Sequence, residues 1–352
     1  MPVREPGWWY SDDGAFAARM LDPVARAWGW AAARRISKAN PYRAALPVIC
    51  VGNFTAGGTG KTPLSIHIAH LLAERGERPV FLTRGYGGRL RGPHHVAVAL
   101  DTAADVGDEP LLLARHAPVI VARDRVAGAR FAGAEAGNSP PTVIVMDDGL
   151  QNPGLAKDLT IAVIDGRRGL GNRRVIPAGP LRAPLELQLA LADAIIVNHP
   201  PGAAGPTGVA EVAAQLRDRF TGPVLEATVE ADASAHDEMK GARVLALAGI
   251  ANPARFHALL EQIGVEIIER ASFADHHAFT EREAARVLAR ARRHGARIVT
   301  TEKDWVRLAG SGALAELRAA AYALPIRLAL APRDRVRLAS LIDAALMQQR
   351  KV

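Results

Sequence analysis

Along the first two-thirds of the chain, apolar positions come in short unbroken runs rather than in alternation. The runs are 47–51 (Pro-Val-Ile-Cys-Val), 79–83 (Pro-Val-Phe-Leu-Thr), 119–122 (Val-Ile-Val-Ala), 143–146 (Val-Ile-Val-Met), 159–164 and 194–197 (Ala-Ile-Ile-Val). Continuous runs of this kind predict strands covered on both faces, as in a parallel sheet flanked by helices. The segment 64–72 between the first two runs has helical periodicity. Polar residues gather where the runs stop: Arg84, Arg123, Asp147-Asp148, Asp165 and Asn198. Open α/β sheets bind their ligands at this edge, beyond the carboxyl ends of the strands.

The pattern changes twice further on. Residues 200–208 are rich in Pro and Gly and read as a surface loop, and 230–241 is polar and charged. Beyond it a new α/β pattern begins, with runs at 244–250, 265–268 and 297–300 and helical stretches through 256–263 and after Thr280. The expected organisation is an N-terminal segment over 1–40, a sheet domain over 41–230 and a smaller α/β domain over 231–352. Residues 224–229 are expected to form part of the connection. In the first segment, Asp22-Pro23 predicts a helix start, N-cap then first turn. The helix carries Val24, Trp28 and Ala31 on one side and Arg26, Arg34, Arg35 and Lys38 around the rest. Trp8, Trp9, Trp28 and Trp30 are four of the five tryptophans. Indoles among basic residues suit the headgroup region of an anionic bilayer. The same pattern also fits a helix packed on the domain with its tryptophans in the core. The segment is too polar to span a membrane or to be a signal-peptide core.

The first run leads into Thr55-Ala56-Gly57-Gly58-Thr59-Gly60-Lys61-Thr62 and then into the helical stretch. A glycine-rich turn between strand and helix aims backbone N–H groups at one point, where the helix dipole adds positive potential. Lys61 supplies a cation for the β- and γ-phosphates and Thr62 a hydroxyl for Mg²⁺. The expected ligands are therefore ATP and Mg²⁺, although the strict motif has Gly where this chain has Thr55. Asp147 and Asp148 follow a strand downstream, where a carboxylate can hold the metal opposite Thr62; Asp-Asp-Gly is also ordinary turn chemistry. Asp108 and Glu109 precede Pro110 at a helix start, where acids complement the dipole or serve as a general base for a hydroxyl nucleophile. Asp275-His276-His277 lies in a loop of the second domain. Arg167, Arg168, Arg173, Arg174 and Arg182 form a basic set suited to anionic groups or to a solvated loop.

Composition narrows the classes. The chain has 352 residues, 49% of them hydrophobic, and a formal net charge of +8, which favours an anionic partner. No Lys/Arg-rich arm, zinc spacing or aromatic RNA-binding signature is present, so nucleic acid is not expected. No obligate protein partner is evident. The single cysteine, Cys50, excludes an internal disulfide framework and reads as a core residue.

Together these motifs resemble the tetraacyldisaccharide 4′-kinase family, the lipid A 4′-kinases of Gram-negative bacteria. The carrying residues are 51–63 (Val-Gly-Asn-Phe-Thr-Ala-Gly-Gly-Thr-Gly-Lys-Thr-Pro), 84–88 (Arg-Gly-Tyr-Gly-Gly) and 107–110 (Gly-Asp-Glu-Pro). They continue with 147–151 (Asp-Asp-Gly-Leu-Gln), 177–182 (Pro-Ala-Gly-Pro-Leu-Arg), Asp275-His276 and 301–304 (Thr-Glu-Lys-Asp). The family tolerates Thr at the first loop position; it commonly has His where this chain has Asn152. The resemblance implies an α/β fold: a P-loop NTPase-like parallel-sheet domain, a second smaller α/β domain and an N-terminal membrane-associating helix. It implies transfer of the ATP γ-phosphate to the 4′-hydroxyl of a lipid A disaccharide 1-phosphate, giving lipid IVA, at the cytoplasmic face of the inner membrane. Asp108 and His276 match the catalytic pair, with Asp108 as proton acceptor supported by His276. Thr62, Asp147 and Asp148 match the metal-binding positions, and Glu109, Arg84, Arg123, Gln151 and Arg182 are assigned to the substrate. The competing reading is a soluble P-loop ATPase or GTPase switch, or a metallochaperone, without a lipid acceptor.

Overall fold

The continuous apolar runs become the inner strands of a nine-stranded sheet in the computed structural model, which describes residues 5–11, 15–135, 139–199 and 207–349. The strands are β1 (Val48–Asn53), β2 (Pro79–Thr83), β3 (His94–His95), β4 (Val119–Val121), β5 (Val143–Asp147), β6 (Leu159–Asp165), β7 (Ala194–His199) and β8 (Val224–Ala231). A second sheet takes β9 (Arg243–Ala248), β10 (Glu266–Ser272), β11 (Arg297–Thr301) and β12 (Ala321–Leu324), and β13 (Ile326–Leu330) returns to the first. The large sheet has the order β13-β8-β7-β6-β1-β5-β2-β4-β3 and the small one β10-β9-β11-β12. β13 and β3, at the two edges, pair antiparallel with β8 and β4; all other pairs are parallel.

Every residue of β1, β2, β4, β5 and β6 is buried, which is why these runs do not alternate. Successive side chains still point to opposite faces. Ile49, Val51, Phe81, Val145 and Ile161 pack with Leu64, Ile68 and Leu72 of helix Lys61–Ala73. Cys50, Leu82, Ile144 and Met146 pack with Ala129 and Ala132 of helix Arg125–Gly133. Parallel register sets Val51 beside Asp147 and Asn53 beside Val163. The glycine loop, Asp147-Asp148 and the end of β6 therefore meet at one edge.

Three expectations change. Residues 224–229 are part of β8, a full strand of the large sheet. The segment 231–352 does not remain one unit: β13 pairs with β8, and Leu338, Ile342, Ala345 and Leu346 of the final helix, Pro332–Gln349, join the core of the large sheet. Its apolar residues share one core cluster with Leu64, Ile68 and Leu72 of helix Lys61–Ala73. Finally, the N-terminal helix runs Ala15–Ser37 with Pro23 inside it rather than at its start. Ala18 and Ala25 are buried on its inner side, and Gly29 lies 3.4 Å from Pro184 at its would-be Cβ. That seam extends to both sides of Pro23, so packing carries the helix through a residue that costs it a hydrogen bond. Asp22 instead pairs with Arg26 and Arg174.

Candidate active site

The phosphate loop is held open by its neighbours. Helix Lys61–Ala73 starts at Gly60, whose φ of 96° excludes most side chains. A Cβ there would also strike the Asn198 side chain at the end of β7. Asn198 Nδ2 donates to Thr59 O at 2.9 Å, and Asn53 Nδ2 donates to Thr55 O at 2.7 Å. The segment 177–182 braces the other side: Ala56 N donates to Pro180 O at 2.8 Å, and Arg182 N donates to Phe54 O at 2.9 Å. Arg182 Nε reaches Thr55 O at 3.1 Å and Nη1 reaches Asp148 Oδ1 at 2.7 Å. Lys61 Nζ stands 3.8 Å from the same carboxylate oxygen.

The two adjacent acids are set in opposite electrostatic states. Burial opposes a charge on Asp148, but Lys61 and Arg182 outweigh it and hold its carboxyl at about 2. Burial, then the nearby Glu109 and Asp148 charges, raise Asp147 to about 7, against a 2.8 Å hydrogen bond from Ser65 Oγ to Oδ1. Asp147 Oδ2 is buried without a protein partner, as are Thr59 Oγ1, Asn53 Oδ1 and Asn198 Oδ1 around the loop. Buried polar atoms are normally satisfied, so this ring of orphaned atoms fits a polar ligand. Carboxylate oxygens at the end of β5, one of them without a protein partner, are hard donors of the kind that fit Mg²⁺, which takes few protein ligands beside phosphate.

The second constellation joins the two sheets. Gly107 has φ 93° and the Tyr86 carbonyl packed against it, so the glycine loop 85–88 and the turn before Asp108 lie in contact. Asp108 opens helix Asp108–Leu113 and is 5% exposed. Its Oδ2 lies 2.9 Å from His276 Nδ1, so the pair anticipated from sequence is already in contact. His276 sits at φ 56° in the loop after β10, an uncommon conformation for a non-glycine residue. Its ring packs tilted on Tyr86, centroids 5.8 Å apart. Asp108 Oδ2 also accepts from Arg307 Nε at 2.7 Å and from Arg307 Nη2. Lys303 Nζ lies 3.8 Å from Asp108 Oδ2 and 3.2 Å from Glu109 Oε1. Burial opposes ionisation of Asp108, but the His276 hydrogen bond and the Lys303 and Arg307 charges hold its carboxyl below the usual range. Burial likewise opposes the Lys303 charge, and Glu109 and Asp108 overcome it, raising the ammonium above its ordinary value.

The expected substrate residues are distributed unevenly. Arg182 and Glu109 lie in the two constellations. Arg84 is exposed just beyond β2, and Arg123 Nη2 reaches Gly88 O at 3.4 Å, so both lie beside the 85–88 loop that carries Tyr86. Gln151 donates inward, to Asn53 O and Gln188 Oε1, each at 2.7 Å, and in this state braces β1. Of the other basic residues, Arg168 pairs with Glu5, Arg173 donates to Gln215 and Arg174 pairs with Asp22. Arg167 and Arg168 help to line a cavity of about 290 Å³ with Asp165 and Asn252. Sequence reading missed Arg307 and Arg125. Arg125 is buried, donates to Ala122 O at 2.6 Å, and is lowered to about 10 by burial, against the attraction of Asp148 and Asp147. Arg307 stands three residues beyond the quoted 301–304 motif, one helical turn from Asp304; that spacing was the available signal.

The family profile described as tetraacyldisaccharide-1-P 4′-kinase matches residues 17–346. The chain belongs to this family. A tetraacyldisaccharide 4′-kinase of Rhodopseudomonas palustris is 48% identical over 309 residues, covering 88% of this chain and 87% of the relative. One from a Methylobacterium species is 46% identical over 344 residues, covering 97% and 98%. A crystal structure of LpxK from Aquifex aeolicus in complex with ATP is similar at a TM-score of 0.69 and 25% identity, over 94% of this chain and all of that one. The family match spans both sheets.

Proposed function

We propose that the protein transfers the γ-phosphate of ATP to the 4′-hydroxyl of a tetraacyldisaccharide 1-phosphate, with Asp108 and His276 as the proton-accepting pair. The observation that carries the reading is the 2.9 Å contact between these residues, one at the start of a helix beside the large sheet and the other in the loop after β10 of the small sheet. An acid–imidazole pair facing a cleft is suited to removing a hydroxyl proton. A switch ATPase activating only water has no need of a second sheet to supply it.

In this reading the loop 55–62 holds the triphosphate by its backbone N–H groups, and Lys61 neutralises the transferring phosphoryl group. Arg182, tied to the loop and to Asp148, fixes the spacing between them. Thr62, Asp147 and Asp148 would hold Mg²⁺, which supplies charge neutralisation at the β- and γ-phosphates when bound. The sugar headgroup lies between the sheets, with Glu109, Arg84 and Arg123 at its polar groups; Gln151 would reach it only by giving up its present hydrogen bonds. Packing of the second sheet over the first excludes water from the reacting atoms.

The acyl chains are assigned to a membrane surface reached by the N-terminal helix. Phe16, Met20, Val24 and Trp28 recur every fourth residue and are exposed, as is Trp30. Arg34 stacks over Trp30 at 5.5 Å. An exposed apolar stripe with flanking cations suits an anionic bilayer surface. Among the described residues no helix is long and apolar enough to cross a membrane. As the family resemblance implies, the reading assigns the protein to the cytoplasmic face of the inner membrane.

The test is incubation with labelled ATP, Mg²⁺ and the disaccharide 1-phosphate. A bisphosphorylated lipid is expected, with Lys61→Ala removing turnover at a transition-state cost of several kcal/mol, about 3 or more. ATP hydrolysis without lipid phosphorylation would favour the switch reading.

A further inference from the structure

Two histidines outside the site described above face each other although 46 residues of chain separate them, a spacing that no metal-binding motif uses. His70 lies in the last turn of helix Lys61–Ala73 and is exposed. His116 stands in the turn after helix Asp108–Leu113, where its N donates to Leu113 O at 2.9 Å. His70 Nε2 and His116 Nδ1 are 3.2 Å apart, and the rings are tilted by 56°. The other nitrogen of His116, Nε2, is buried without a partner among the described residues, so this ring acts through Nδ1.

The charges around the pair favour a neutral ligand. Burial, then the neighbouring His70 and Arg115, lower the His116 imidazolium to about 4, so at neutral pH the ring is uncharged and offers a lone pair. Arg115 is itself engaged by Glu302 at 3.6 Å and by the Trp305 ring at 5.0 Å. On the helix side, His67 is held neutral by burial, then by His70 and by Arg335 of the final helix, against the pull of Glu74.

A hydrogen bond and a shared metal ion make similar demands on two imidazoles. Zinc binds imidazole nitrogen at about 2.0–2.1 Å in tetrahedral geometry, which sets two such nitrogens about 3.3 Å apart. The observed separation meets that bite, so ring rotation suffices and neither helix has to move. Leu113 shares one core cluster with Leu64, Ile68 and Leu72, so the backbones that carry the two rings are fixed against each other. Imidazole suits Zn²⁺, Cu²⁺ and Ni²⁺, whereas Mg²⁺ prefers the oxygen donors at 147–148. Among the described residues no cluster of three His, Cys, Asp or Glu is poised for a metal. Two nitrogens with water in the remaining positions make an open site. Glu74, exposed one turn beyond His70, is the first carboxylate on that helix face.

We propose that His70 and His116 form a second metal site, for Zn²⁺ or an ion of its class, that staples the phosphate-loop helix to the segment following Asp108. Each ring gives one nitrogen lone pair to the ion. The proton lying between the rings moves, by exchange with solvent, to the far nitrogen of its own ring, so both imidazoles stay neutral and no net proton is lost. One N–H···N hydrogen bond is replaced by two metal–nitrogen bonds. The staple links the helix that begins at Lys61 and Thr62 to the one that begins at Asp108. An ion bound by the folded chain and not by the unfolded one stabilises the fold by mass action.

The inference goes beyond the kinase reading and stands or falls separately from it. Its test uses the full chain without an affinity tag, stripped of metal with EDTA and free of nucleotide. Calorimetric titration with zinc chloride should give one ion per chain, and zinc-edge X-ray absorption should show two imidazole nitrogens at about 2.0–2.1 Å. Zinc should raise the melting temperature, and Mg²⁺ at the same concentration should not. His70→Gln and His116→Gln should each weaken zinc binding about tenfold or more and remove the zinc-dependent shift. His95→Gln, in the edge strand β3, should keep both. Absence of uptake at one ion per chain would leave the contact a plain hydrogen bond and overturn the inference, as would uptake that both variants retain. If His116→Gln does not fold, His70→Gln, at an exposed position, decides together with the absorption spectrum of the unmutated protein.

Discussion

Asp147 and Asp148 are neighbours of the same chemical type, yet Asp148 alone of the two stands within ion-pair distance of a cation among the described residues. Asp148 faces Lys61 and Arg182, whereas Asp147 is buried with Oδ2 unpartnered and a carboxyl raised to about 7. The sign follows from proton linkage. An unfolded Asp titrates near 4, so between about pH 4 and 7 the folded protein keeps a proton that the unfolded chain has lost. Stability from this group is full below that window and falls as pH rises through it. Asp147→Asn should therefore raise the melting temperature of the nucleotide-free protein more at pH 8 than at pH 5, while abolishing stabilisation by Mg²⁺ with ATP. Thermal melts at the two pH values check this, and an equal shift at both would contradict it. The carboxylate doublet was legible in the sequence. Its division of labour was not, because it depends on Arg182, Ser65 and Glu109, brought in from three other segments.

At the scale of elements, the N-terminal segment separates its tryptophans between the helix Ala15–Ser37 and the short turn Gly7–Tyr10 before it. Trp28 and Trp30 are exposed, whereas Trp9 is buried and its Nε1 donates to Pro177 O at 3.2 Å. Removing the whole segment would therefore remove core packing together with the exposed stripe. The sharper test is Met20→Ser with Trp28→Ser and Trp30→Ser. Flotation with anionic vesicles should fall and KM for the lipid should rise, with the melting temperature nearly unchanged. Basic residues near an anionic surface contribute about 1 kcal/mol each, so the remaining binding should weaken with salt. A triple variant that floats as well as the parent would refute the assignment. The amphipathic pattern was readable from residue 24 onward. The helix start was not, because the Ala18, Ala25 and Gly29 seam is apolar only weakly and gains its meaning from the Pro184 surface beneath it.

At the scale of the molecule, the chain leaves the large sheet at β8, builds the second sheet and returns with β13 and the last helix. Leu338 and Ile342 are fully buried in the first core. Truncating such a residue to Ala typically costs about 2–5 kcal/mol. Leu338→Ala should therefore lower the melting temperature and, at assay temperature, weaken nucleotide binding through the sheet that carries the loop, despite its place near the far end of the sequence. Loss confined to the second sheet, seen by hydrogen exchange, would contradict this coupling. The second sheet is in turn fastened to the first by Val306, which packs with Val106, Leu111 and Val121. Through this contact the 301–304 motif and Arg307 reach Asp108.

The sequence by itself determined the parallel sheet, the phosphate loop and the two acid motifs. These rest on local rules: unbroken apolar runs for doubly covered strands, glycines where backbone must approach a ligand, and acids at strand and helix ends. It also paired Asp108 with His276 through the family resemblance. Only the tertiary structure decided that Arg307 clamps this pair, that Gln151 turns inward, that Asn198 supports the loop, and that the last helix completes the first core. Each is a meeting of residues far apart in the chain, and such contacts are selected by packing and charge balance in the assembled fold, which no local pattern encodes.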